Sequence, residues 1–273
     1  MNLAAALGRR LEAMRGSDGG YPPVRSGASE PEPTALAALA LNDPHARRWL
    51  NANQRSDGSF GISLGTVDND SATALAALAM GPGDSANRAL DHIETTTARV
   101  TVPDSSIPYN PAFPGWAWTD GTFGWVEPTS RALLALRMLR PSASGSISDS
   151  SGMLADRESV GGGWNYGNRI VFGVDLPPYA ETTAMALIAL QGLKTDLVAR
   201  GIARLKELWR QEREGTLSVA AAAVALQLNN DPDADAALKE LASHDLTHLE
   251  DVVTLAWASI ATGPGLGRIR VSA

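Results

Sequence analysis

Carboxylates recur at one kind of place in this sequence, a few residues ahead of an apolar Ala/Leu-rich run. Glu30, Glu127 and Glu181 each lie five residues before a run of the form A-L-x-A-L, with Glu32 close behind Glu30. Asp68 and Asp70 precede another such run, in Asp68-Asn69-Asp70-Ser71-Ala72-Thr73-Ala74-Leu75. A helix dipole stabilises negative charge at its N-terminus, proline suits the first turn, and Asp70 or Ser71 would serve as an N-cap. Packing and capping therefore explain the repetition. A ring of such acids around an opening can also hold a metal, a cationic group or a sugar. Two carboxyls about 5–9 Å apart across an aromatic-lined groove suffice to cleave a glycoside, and Glu127, Glu181, Asp120, Asp175 and Asp68 are the pool for such a pair. His244 and His248, four apart in HDLTH, share a face if that stretch is helical. An exposed surface pair is their plainer reading, and no metal or other cofactor is assigned.

Aromatic surface is the second chemical resource. Of fifteen Trp, Tyr and Phe residues, ten fall between Tyr109 and Tyr179. Trp116, Trp118, Phe123 and Trp125 belong to a Gly/Pro-rich connection over about 95–126, and Trp164, Tyr166 and Tyr179 to a second over about 159–180. Connections this long are uncommon unless functional or disordered, and their ring content argues against disorder. Two readings stand. The rings pack the loops onto the rim, or, with Glu127 and Glu181, they line a substrate-binding opening suited to an isoprenoid chain, a carbocation or a sugar face.

The elements that must position these residues are helices in pairs. A-L-x-A-L occurs at Ala35, Ala74, Ala132 and Ala186, loosely at Ala222, and TLAWASIA from Thr254 serves as a sixth copy; the spacings are 39, 58, 54, 36 and 32 residues. These runs are apolar on nearly every face, as enclosed helices are. Segments such as PHARRWLNANQ, SANRALDHIE and LVARGIARLKELWRQERE precede the next run and carry their apolar residues at three-to-four spacing, as amphipathic helices do. The chain thus reads as all-α, six pairs of an outer and an inner helix, over 1–273 as one domain. An open solenoid would need polar end caps, whereas six pairs suit closure into a double ring.

ARRWLNANQRSDGSFG (46–61) resembles the glutamine–tryptophan repeat of squalene–hopene cyclases and their relatives, with Phe60 where tryptophan is usual. RRLEAMRGSDGGY (9–21) and GMLADRESVGGGWNYG (152–167) resemble degenerate copies. In that motif Gln54 and Phe60 are structural, one capping a neighbouring helix end and the other packing between repeats. Nearly the whole chain is similar to prenyltransferase/squalene-cyclase-type repeat proteins, including bacterial ones. The resemblance implies an α6/α6 toroid closed around a central, largely apolar cavity, and an isoprenoid or similar apolar small molecule as partner. Class II terpene cyclases carry Asp-x-Asp-Asp before such an inner helix; by that match Asp70 takes the proton-donor position and Asp68 its acidic neighbour, with Ser71 replacing the last aspartate. A proton-delivering carboxyl must be kept neutral, by burial or by neighbouring carboxylates. Protein prenyltransferases of this superfamily hold zinc with Asp, Cys and His, and this chain has no cysteine.

Bulk properties narrow the classes. A chain of 273 residues with net charge −7 and singly spread Lys/Arg does not suit a nucleic-acid partner. Absence of cysteine excludes disulfides and thiol catalysis. No run is long and apolar enough to span a membrane, which leaves peripheral membrane contact open. The start, MNLAAALGRRLEAMRG, has its arginines after its apolar patch, opposite to a secretory signal, and reads as cytoplasmic. Three functions fit: a terpenoid cyclase-like binder of isoprenoids with proton-initiated cyclisation, a carbohydrate-active toroid using a carboxylate pair, and a non-catalytic interaction module.

Overall fold

The computed structural model describes residues 2–66, 70–98, 109–119 and 121–272; Asp68 and Asp120 lie outside them. The described residues form α1 (Leu3–Glu12), α2 (Pro31–Leu41), α3 (Pro44–Asn53), α4 (Thr73–Met80), α5 (Asp84–Thr95), α6 (Val126–Leu139), α7 (Ser144–Asp156), α8 (Ala180–Ala189), α9 (Asp196–Gln211), α10 (Thr216–Leu228), α11 (Ala234–Ser243) and α12 (Val252–Thr262). The architecture is all-α apart from a two-residue hairpin, β1 (Ile170–Val171) against β2 (Val174–Asp175), within the connection to α8. That hairpin is too short to show as alternation in sequence.

Even-numbered helices are the inner set. Thr73–Ala79 of α4 and Val219–Leu226 of α10 are buried without a break, because alanine on several faces lets helices close in from several sides. Odd-numbered helices bury one stripe only: α9 buries Val198, Leu205, Leu208 and Trp209 and turns its Arg and Lys residues outward. Neighbour follows neighbour around the inner set, α2 on α4, α4 on α6, α6 on α8, α8 on α10, α10 on α12, and α12 again on α2. The ring is closed. α1 lies over the seam, against both α12 and α2. There the Val252 N–H donates to the Pro23 carbonyl at 3.0 Å and the Arg10 guanidinium to the Leu249 carbonyl at 2.9 Å.

α7 is only half announced by the sequence: the degenerate repeat copy from Gly152 overlaps its end, but the stretch before it is serine-rich, and serine is a weak helix former. Its Ser150 and Ser151 hydroxyls donate back to the carbonyls of Ser146 and Ile147, four residues earlier, so serine is accommodated inside the helix while Met153 and Leu154 supply the buried stripe.

A threonine clamp sets the entry angle of four inner helices. The backbone N–H of Tyr21, Phe60, Trp116 and Trp164 donates to the hydroxyl of Thr34, Thr73, Thr129 and Thr183 at 2.8, 2.9, 3.0 and 2.9 Å. Each hydroxyl donates back to the same aromatic residue's carbonyl. The aromatic ring is buried every time. This is the repeating staple, and Phe60 has the packing role expected of it. Gln54 spans to the adjacent outer helix: its amide donates to the carbonyls of Gly58 at 2.9 Å and of Ser85, in the first turn of α5, at 2.8 Å.

Short connections join each inner helix to the next outer one; those leading back in are long before α2, α4, α6 and α8, while α9 passes into α10 over only four residues. Inner-helix C-terminal carbonyls are tied together at one end of the ring, which leaves the inner N-termini at the other. Arginines serve the carbonyl end: Arg47 donates to the Ala79 carbonyl at 2.8 Å, Arg268 to that of Leu39 at 2.8 Å, and Arg137 to that of Ala189 at 2.5 Å. A 3-10 helix, Pro264–Ile269, packs on α2 and α12. Gln191, beyond α8, then bonds the Ile269 carbonyl at 2.9 Å and the Val271 N–H at 3.0 Å. The C-terminal segment therefore lies across this end as a floor, and the long connections surround the mouth opposite.

Candidate functional site at the mouth of the ring

Glu127 and Arg131 stand one turn apart on α6, the only charged pair in a helix stretch otherwise buried from Val126 to Leu136. Their side chains form an ion pair, and the same Arg131 Nη2 reaches Glu32 of α2 at 2.5 Å. α2 and α6 are separated in the ring by α4, so this bridge crosses the mouth. Arg131 is only 6% exposed, and the Trp118 indole lies 5.4 Å from its guanidinium. Burial alone would weaken the guanidinium's hold on its proton, but the charges of Glu127 and Glu32 outweigh it and raise its pKa. Glu127 shows the converse: burial pushes its carboxyl up, against the pull of Arg131.

Glu181, in the first turn of α8, faces the same cluster. Its carboxyl is pushed up to about 7, first by burial, then by the negative charge of Glu127, with Arg131 opposing and Glu32 and Glu212 adding. The first N–H of α8 is served by Glu212, which accepts from Ala180 at 3.0 Å; Glu212, not Glu181, fills the capping role there. Beside Glu181, Tyr166 and Tyr179 meet with ring centroids 5.6 Å apart. Both rings are partly exposed, and the Tyr166 hydroxyl is pushed up by burial and by the charges of Glu181 and Glu127. One cluster thus gathers Glu127, Glu181, Trp118, Tyr166 and Tyr179 with Glu32 and Arg131: carboxyls of which two are raised by burial, a buried cation, and aromatic faces.

The remaining candidates lie elsewhere. Trp116 and Trp164 are packing residues, their indole N–H groups bonded to the carbonyls of Ile93 at 2.9 Å and Leu154 at 2.7 Å. Phe123 stacks on Trp125 at 4.7 Å, beside Tyr109. Asp175 is exposed in the β-hairpin. The Asp70 carboxylate does not cap α4, whose N-cap is Ala72 without a side-chain bond. It pairs instead with the His92 imidazole of α5 at 2.8 Å, while the Asp70 carbonyl accepts from Thr73. Asp70 borders a void of about 10 Å³ among Ala74, Ile93, Trp116, Pro128 and Ala132. His244 ends α11 and bonds Thr216 at 2.9 Å; His248 lies in the following loop, so the two do not share a helical face. Among the described residues no group of three or more His, Cys, Asp and Glu suits a metal ion, and no helix is long and apolar enough to cross a membrane.

Arg131 and His92 are the site residues that the sequence pattern did not single out. A signal for Arg131 was present: a lone arginine inside an inner helix, four residues after Glu127, is costly to bury without a purpose. His92 carried none, since an outer-helix histidine is ordinary.

No protein-family model matches the chain, and no curated protein matches its sequence. Solved structures match its shape. An inactive variant of an α-1,6-mannanase, GH76A, from Salegentibacter sp., in complex with α-1,6-mannotriose, aligns over 99% of this chain and 99% of its own, with TM-score 0.62 and 10% identity. A reducing-end-xylose releasing exo-oligoxylanase aligns over 96% and 93%, with TM-score 0.60 and 11% identity. The type II terpene cyclase MstE from Scytonema aligns over 96% and 98%, with TM-score 0.61 and 15% identity. The chain has an α/α toroid fold. At these identities the likeness is one of fold, and it spans glycosidases and a terpene cyclase alike.

Proposed function

We propose that this toroid binds a hydroxylated, sugar-like ligand at its mouth and acts on it by carboxyl acid–base chemistry. The observation that carries this reading is the meeting of Glu127 and Glu181, from adjacent inner helices, in unequal surroundings: Glu127 is ion-paired to Arg131, whereas Glu181 stands beside Tyr166 and Tyr179, and burial raises both carboxyls, that of Glu181 to about 7. Two carboxyls with different surroundings divide into an acid and a carboxylate. Glu181 donates a proton to the leaving oxygen, and Glu127 supports the positive charge that develops at the sugar carbon or activates water. Tyr166, Tyr179 and Trp118 offer ring faces on which a sugar can rest. Oligosaccharides and aryl glycosides incubated with the protein and analysed by chromatography test this. Cleavage is expected, reduced about 100-fold or more in Glu181→Gln and in Glu127→Gln. Folded protein that neither binds nor cleaves any saccharide would end the reading.

A second reading, an isoprenoid-binding, proton-initiated cyclase, draws support from one contact. The carboxylate of Asp70 is bonded by His92 beside an apolar void. That void must widen many-fold to admit a linear isoprenoid. Cyclised product from the wild-type protein, absent with Asp70→Asn, is its test by mass spectrometry.

A further inference from the structure

At the end of the ring away from the mouth, a cavity of about 630 Å³ opens between the C-terminal segment and the ends of inner helices. That size is usual for a small-molecule site, about 300–1,000 Å³. Arg137 of α6 and Arg270 of the C-terminal segment both line it, with Leu228, Asn230 and Val271, and no acidic residue does. Arg270 is exposed and Arg137 half-buried, so both guanidiniums are open to the cavity rather than sealed behind it. One residue brings the two together. The Gln191 carbonyl accepts from Arg137 Nη2 at 2.9 Å, and the Gln191 side chain accepts from the N–H of Val271, next to Arg270, at 3.0 Å.

The charge of this pair is not matched within the described residues. Arg137 donates to the carbonyls of Ala189 and Gln191, and Arg270 to that of Gln227 at 3.3 Å, a long bond. By contrast, Arg15, Arg131, Arg140 and Arg210 each meet a carboxylate. A helix C-terminus supplies only about half an elementary charge, so the carbonyls of α8 and α10 leave part of two full positive charges unbalanced. Burial lowers the pKa of Arg137, and no carboxylate opposes that shift. The chain carries net charge −7, so acids are not scarce; this wall excludes them.

The chemistry of the ligand follows. A guanidinium best holds an oxyanion, whose oxygens accept two of its N–H groups at once. The cavity is larger than one such group, and Leu228 and Val271 give it apolar wall. We infer that this cavity binds a small molecule bearing a phosphate or carboxylate, held by Arg270 and Arg137, with its uncharged part against Leu228 and Val271. The site is separate from the mouth and does not depend on the saccharide reading. Its ligand would tie the C-terminal segment to α6 and so brace the closed ring.

The test is calorimetric titration of the full chain, at low ionic strength, with phenyl phosphate, benzoate and the uncharged benzyl alcohol. At least one anion should bind tenfold or more tighter than benzyl alcohol; the tighter of the two names the head group. Arg270→Gln should weaken that anion at least tenfold while circular dichroism and the ligand-free melting midpoint stay as in the wild type, since Arg270 gives up only one long bond. Arg25→Gln removes an equal charge from an exposed ion pair elsewhere and should change the affinity less than twofold. The melting midpoint should rise with anion concentration in the wild type and not in Arg270→Gln. Benzyl alcohol binding as tightly as the anions, Arg25→Gln weakening them as much as Arg270→Gln, or no binding of either anion at millimolar concentration would overturn the inference. None of these results touches the saccharide reading, whose own test is at the mouth.

Discussion

Glu181 is a carboxyl whose pKa burial raises, and that shift is expected to show in stability. In the unfolded chain it ionises near 4.5; in the folded protein it does so at about 7. Between those values the folded state binds more protons than the unfolded one, so stability falls as pH rises through the window. The change from this group is of the order of 2 kcal/mol after its partial exposure is allowed for. Urea midpoints at pH 5 and pH 8 should differ in that sense, and Glu181→Gln should flatten the difference by gaining stability at pH 8. Which residues mattered was half legible. The fixed five-residue offset of Glu127 and Glu181 from their helix repeats marked them without any structure. Arg131 was overlooked because its contact with Glu32 joins helices that are not neighbours in the ring, and no local spacing encodes that.

At the level of elements, the threonine clamps carry the repeat more faithfully than the glutamine–tryptophan pattern does. Each threonine satisfies a backbone N–H and carbonyl beside a buried ring, where water cannot replace it. Thr129→Val keeps the shape and leaves the Trp116 N–H without its acceptor, a cost of about 1–3 kcal/mol. Thr129→Ser should lose much less, and thermal unfolding of the two variants separates hydrogen bonding from packing. Gly58 is the second sensitive point. It sits at φ 89° in the turn before Phe60, where an added Cβ would run into the Arg88 carbonyl of α5. Gly58→Ala should therefore destabilise the protein by more than about 1 kcal/mol. The sequence announced the inner helices through their all-round apolar character and most outer ones through a single stripe. It hid the first half of α7, whose serines satisfy themselves in a way that composition does not disclose.

Taken whole, the molecule is a ring without free ends, and its inner helices run the same way. Their dipoles add, with acids gathered at the N-terminal mouth and Arg47, Arg137 and Arg268 on the carbonyls of the opposite end. Closure makes every pair depend on both neighbours. Removing 252–272 strips α12 from α2 and α10 together, and the shortened chain is expected to lose its cooperative thermal transition altogether, where an open stack would shed one unit and stay folded. Circular dichroism and tryptophan fluorescence of the full chain should report coincident transitions. Six copies of a helix pair were enough to anticipate closure; the floor was not anticipated, because the segment after α12 is a short stretch with no periodicity to read.

The braced base imposes a rule of traffic. Ile269 and Val271, gripped by Gln191, tie the segment after α12 to the end of α8 on the far side of the ring, so that end is strapped and the opposite one is not. On the proposed reading, a saccharide would have to approach and leave from the side of Tyr166 and Tyr179.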